Sequence, residues 1–190
     1  MKKWSMLSLA VILMMSMAFV SCKKDKDEEE TPVKKNYVTY NNKDYNFTKG
    51  YLIYYGDLDA KAGTYNFDVF LCTDGINYNS TTDEFSGSGN IFYMELFSSS
   101  ATALVPGTYT YDSTMSYLAN TYDLGVFAVN FNFATTSGEI EQEIKQGTFK
   151  TSNSGSTYTF NIDVMAGDGK KITGMYSGAL TYSDQSAKKK

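Results

Sequence analysis

The side chains able to do chemistry in this chain of 190 residues are carboxylates, phenols, lysine amines and two thiols, with neither histidine nor arginine among them. Zinc sites and charge-relay hydrolysis therefore lack their usual residues. Paired carboxylates can still hydrolyse glycosides, and Asp68, Glu95 and Asp163 lie inside predicted strands that would fix their positions. Alternation puts Asp68 and Asp163 on polar faces and Glu95 on the face of Ile91, Tyr93 and Phe97, which predicts partial burial. The oxygen-rich stretch TDGINYNSTTDE, residues 73–84, offers Asp74, Asn77, Asn79 and Asp83 to a calcium ion. Their spacing lacks the order of an EF-hand loop, so the expectation is a solvated hairpin loop with no metal and no cofactor. GDGKK from Gly167 lacks the Gly-x4-Gly-Lys-Ser/Thr spacing of a phosphate loop and reads as a turn.

Aromatic chemistry is the more abundant resource: 16 tyrosines and 12 phenylalanines. A tyrosine ring stacks on a sugar face while its hydroxyl reaches water or a ligand hydroxyl. Tyr54, Tyr55, Tyr78 and Tyr117, nearest to predicted strand ends or loops, are the candidate glycan contacts. The competing explanation is that tyrosine has high strand propensity and fills half-buried sheet faces. Cys72 has no base to raise its thiolate fraction and reads as a structural, semi-buried thiol.

These residues sit on strands. From Tyr37 onward, β-branched or aromatic residues alternate with polar ones between Gly, Asn, Asp and Ser punctuation. Nine or ten short strands are expected, the clearest being YLIYY from Tyr51, TYNFDVFLC from Thr64, NIFYMELF from Asn90, GTYTYD from Gly107, VFAVNFNF from Val126, STYTFNIDV from Ser156 and ITGMYSGALTY from Ile172. In YNFDVFLC, Tyr65, Phe67, Val69 and Leu71 share one face and Asn66, Asp68, Phe70 and Cys72 the other. EIEQEIKQ, residues 139–146, reads as an edge strand rather than a helix. The fold class is all-β, an antiparallel meander closing as a β-sandwich or a barrel over residues 36–183, followed by a disordered basic tail, 184–190. The chain has 17 basic residues, all lysine, against 21 acids. That balance argues against nucleic acid as a partner.

The N-terminus carries a separate message. Lys2 and Lys3 precede an apolar run from Met6 to Val20, then Ser21 and Cys22, the charged, apolar, small-residue order of a secretory signal. The run falls short of the roughly 20 residues that a bilayer-crossing helix needs. Residues 22–35, rich in Lys, Asp and Glu, form a disordered tether. Phe19-Val20-Ser21-Cys22 resembles a bacterial lipobox, and a cysteine followed by acidic residues is similar to the export signal of Bacteroidota-type surface lipoproteins. The resemblance implies removal of residues 1–21, acylation of Cys22 with chains such as palmitate, and attachment to the outer membrane, facing the cell exterior.

Over residues 36–183 the hairpin rhythm resembles the calycin-like and sandwich domains of small Bacteroidota lipoproteins, although the Gly-x-Trp signature of true lipocalins is missing. Asp112-Ser113-Thr114 resembles a short O-glycosylation motif of the same group. The expected function is non-enzymatic binding of an extracellular ligand such as a glycan. Its alternatives are an assembly component of an envelope protein complex and, third, a hydrolase using paired carboxylates. In cells fed a radioactive fatty acid, the wild-type protein is expected to incorporate label and Cys22→Ser to lose it; label retained in the variant would remove the anchor.

Overall fold

The computed structural model describes residues 35–57, 61 and 63–187; the expected leader, Cys22 and nearly all of the expected tether lie outside them. The fold is all-β. Its strands are β1 (Tyr37–Tyr40), β2 (Lys43–Asn46), β3 (Lys49–Gly56), β4 (Tyr65–Cys72), β5 (Ile76–Asn79) and β6 (Glu84–Ser98), followed by β7 (Gly107–Tyr111), β8 (Thr121–Asn132), β9 (Ile140–Ser154), β10 (Thr157–Ala166), β11 (Lys171–Ala179) and β12 (Thr181–Asp184). They form one mixed, curled sheet in the order β12-β3-β4-β6-β8-β7-β9-β10-β11-β1-β2, with β5 added to β6.

Two expectations are corrected. The described strands number 12, because short β1, β2, β5 and β12 add to the long ones. Two pairings are parallel, β12 with β3 and β7 with β8, so the sheet is not a pure meander. EIEQEIKQ opens β9 as a strand: residues 140–143 pair with β8 on one side, and β10 joins on the other only from Ile144 onward, so the stretch begins as an edge and becomes central further along. Its Ile144 is fully buried.

Local chemistry sets the turns. Asn41 and Asn42 both take positive φ, 51° and 60°, which gives the two-residue hairpin joining β1 and β2 its matching twist. The Tyr40 hydroxyl donates to Asp168 Oδ2 at 2.6 Å, tying β1 to the β10–β11 turn. This bond, with Lys170, holds the Asp168 carboxyl down at about 2.

The decisive connection is the shortest. One residue, Leu180, separates β11 from β12, so the strand that leaves the β10 flank of the sheet enters the open edge of β3. Thr181 to Asp184 pair in register with Tyr51 to Tyr54, and the Gln185 amide donates to the Tyr54 carbonyl at 2.8 Å. The crossing is close: a Cβ on Gly50 would stand 2.3 Å from Leu180 Cδ2 and 2.9 Å from the Tyr176 hydroxyl. A side chain at position 50 would therefore have to push aside the ends of the Leu180 and Tyr176 side chains. Gln185 is 1 % exposed, so the folded part extends past Ser183 into the stretch expected as tail.

Curling sends alternate side chains inward. Phe67, Val69 and Leu71 of β4 enter one apolar cluster that receives residues from strands on both flanks of the sheet. Phe92, Phe149, Phe160 and Tyr176 stack across it from β6 to β11, with successive ring centroids 6.1, 4.9 and 6.2 Å apart. Each such pair adds about 0.5–1.5 kcal/mol beyond its buried area. Stacked rings thus occupy the middle of the interior cluster.

Candidate functional site

Two surfaces bring chemistry-bearing residues together. The first is a trough along β12. Tyr182 is 52 % exposed because β12 ends the strand order and its ring stands past Leu52 at that margin, whereas Ser183 and Gln185 on the other face of β12 are buried. Its ring stands between two grooves. One, of about 250 Å³, is lined by Leu52, Thr102, Ala103, Tyr158, Leu180 and Tyr182. The other, of about 520 Å³, is lined by Ser80, Thr81, Tyr182, Ser183, Asp184 and Gln185. Burial, then Asp184, Tyr54 and Tyr158, raise the Tyr182 pKa, so the phenol stays neutral and able to donate. Asp184 accepts from the Ser186 amide at 2.9 Å and hydroxyl at 2.6 Å, which lowers its pKa. The buried Gln185 side chain donates to the Ser80 carbonyl at 2.9 Å and the Ser183 hydroxyl at 2.6 Å, fastening the 80–81 loop beside β12.

The second surface is the outer face of β3, β4, β6 and β8. Register places Tyr51, Phe70, Tyr93 and Val126 in one row and Ile53, Asp68, Glu95 and Leu124 in the next. A bulge between Glu95 and Leu96 leaves Asp123 as the extra residue of β8, within hydrogen-bond reach of Glu95. Tyr93 donates its hydroxyl to Asp68 Oδ2 at 3.1 Å, and Asn66 donates to Glu95 Oε1 at 2.6 Å. Burial, followed by the charges of Asp68 and Glu95, pushes the Tyr93 phenol far above its ordinary value. Burial also raises Asp123. The β5–β6 hairpin folds over one end of this face, with Phe85 against Phe70 and Tyr78 at centroid distances of 4.3 and 4.8 Å.

The expected site residues distribute unevenly over these surfaces. Tyr55 and Tyr78 meet on the outer face, both donating to Asp83 Oδ1, at 3.1 and 2.8 Å. Burial pushes the Tyr78 phenol up to about 12. Tyr54 faces inward against Phe67, 4.9 Å between centroids, near the seam. Tyr117 lies in the β7–β8 connection against Phe97, 5.1 Å away. The four tyrosines do not make one platform. Asp68 and Glu95 are opposed across β4 and β6, whereas Asp163 stands apart in an exposed ion pair with Lys171 at 2.9 Å.

The oxygen donors of residues 73–84 also take separate partners. Lys49 Nζ lies 2.8 Å from the Asp74 carbonyl, 3.1 Å from that of Ile76 and 3.3 Å from Asn77 Oδ1, so an ammonium already sits among them. Asn79 accepts from the Thr81 amide at 2.9 Å, and Asp83 from the two tyrosines. Among the described residues no three of His, Cys, Asp or Glu are grouped to hold a metal. Cys72 is fully buried beneath the hairpin, and burial pushes its thiol up to about 12, with Lys49 opposing. Ser113 is exposed in a turn whose Asp112 carboxylate accepts from Thr114 and Ser116.

Sequence reasoning missed Tyr182, whose ring stands at the centre of the trough. ITGMYSGALTY reads as a single strand, and the only local irregularity is Leu180, which follows Ala179 out of phase with the polar positions. Compared with family models, with curated proteins and with solved structures, the chain matches none.

The raised pKa of Asp123 has a defined consequence for stability. The folded state holds its proton above the ordinary value of 3.8, so stability falls as pH rises from there through the folded pKa, then levels. Urea midpoints measured across that window are expected to fall less with rising pH in Asp123→Asn than in the wild type. Identical pH profiles would mean that Asp123 is not held protonated by its surroundings.

Proposed function

We propose that this protein is a lipid-anchored, non-enzymatic binder of an extracellular glycan, which it holds in the trough along β12. The observation that carries this reading is the exposed Tyr182 ring between two adjoining grooves edged by Ser80, Thr81, Thr102 and Asp184. A sugar presents an apolar C–H face and a rim of hydroxyls, and a tyrosine flanked by hydroxyls and a carboxylate complements both. Tyr158 and Leu180 continue the apolar strip on one side, so the trough suits more than one sugar unit.

Glycoside hydrolysis uses two carboxylates flanking the bond, and among the residues lining the trough Asp184 is the one acid. That supports holding over turnover. The anchor reading rests on Cys22 and the tether, which would give the trough a fixed address and some freedom to sweep.

A glycan array probed with the folded domain is expected to yield at least one bound class, with Tyr182→Ala weakening it roughly tenfold or more at unchanged melting temperature. An array with no binding, or a Tyr182→Ala variant that binds like the wild type, would overturn the assignment.

A further inference from the structure

Across the two grooves beside Tyr182, Asp184 is the one charged residue, and it is exposed. Its Oδ1 is taken up by Ser186, which gives it an amide and a hydroxyl hydrogen bond. Those bonds lower its pKa, so the carboxylate is ionised at neutral pH. No described residue donates to Oδ2, and none forms an ion pair with this acid. One carboxylate oxygen is therefore held in place, and the other is open to a ligand.

The wall beside it is short of hydrogen-bond donors. Gln185 Nε2 gives to the Ser80 carbonyl, which can only accept, so the orientation of this side-chain amide is fixed. Its Oε1 is left buried with no donor among the described residues. The charges of Asp184 and Asp57 follow burial and Tyr65 in raising the pKa of nearby Tyr54, so the potential here is negative. A sugar hydroxyl brings one donor and no charge, an acetamido group does the same, and a carboxylate is repelled. An ammonium brings three donors and the matching charge.

We infer that the trough selects an amino sugar with an unacetylated nitrogen, its ring face on Tyr182 and its ammonium at Asp184 Oδ2. The inference rests on the glycan reading and narrows it: Tyr182 supplies the stacking that any sugar would use, and Asp184 the choice among sugars.

Three trimers that differ only at carbon 2 test this choice: cellotriose with a hydroxyl, the N-acetylglucosamine trimer with an acetamide and the glucosamine trimer with an ammonium. In calorimetric titrations at about pH 6, where amines are protonated, the glucosamine trimer is expected to bind roughly fivefold or more tighter than either of the others. Its advantage should shrink as salt rises. Asp184→Asn keeps the Oδ1 acceptor that Ser186 uses and should bring the three trimers together, whereas Tyr182→Ala should weaken all three. Melting temperatures of the variants show that each is folded. Equal binding of the trimers, no binding of the glucosamine trimer, or a preference that survives in Asp184→Asn would overturn the inference. If a glycan array still yields a bound class, the glycan reading stands without it; if the array yields none, both fall. N-acetyl-lysine methylamide binding as tightly as the glucosamine trimer would also overturn it, in favour of a lysine side chain from a partner protein.

Discussion

A curled sheet leaves two lateral edges whose amides and carbonyls need partners, and in this protein the edge of β3 receives them from the four residues after Leu180. The supply is parallel because β11 does not reverse; it runs on past its own neighbours and onto the opposite flank. This crossing sets the rest of the architecture. It packs position 50 closely, where a larger residue would have to displace the ends of Leu180 and Tyr176. It also keeps the stacked rings of Phe92, Phe149, Phe160 and Tyr176 away from water. An exposed β3 edge would instead template pairing with another chain.

The crossing and the hairpins create the surfaces on which the grooves lie. At the seam, β12 presents an exposed ring and polar neighbours, a combination suited to hydroxyl-rich ligands. On the outer face, cross-strand register aligns an aromatic row beside an acidic one. The two surfaces draw on the same abundant aromatic residues and differ in their neighbours: hydroxyls and one acid at the seam, clustered carboxylates outside.

Strand identity was legible in the sequence because period-two alternation reports which face is buried. The assignment of Phe67, Val69 and Leu71 to one side of β4 and of Phe70 and Cys72 to the other agrees with their membership of separate clusters. Pairing was less legible. The opposition of Asp68 to Glu95 depends on the register of β4 against β6, which neither strand encodes alone. Asp123 reaches Glu95 only through a bulge, and Tyr182 is exposed only because β12 leaves the neighbours of β11. Residues 139–146 read as an edge because polar residues alternate with Ile140 and Ile144, and β8 alone pairs residues 140–143; that β9 becomes central beyond Ile144 depends on β10, which this stretch does not encode.

Native-state hydrogen exchange on the seam tests the dependence on closure most directly. If the crossing is integral to the fold, the Gln185 amide, which donates to Tyr54, exchanges only with global unfolding, as do the amides of Phe160 and Ile162 in β10. A Gln185 amide that exchanges orders of magnitude faster while β10 stays protected would show that the sheet holds without its closing strand, contradicting the account.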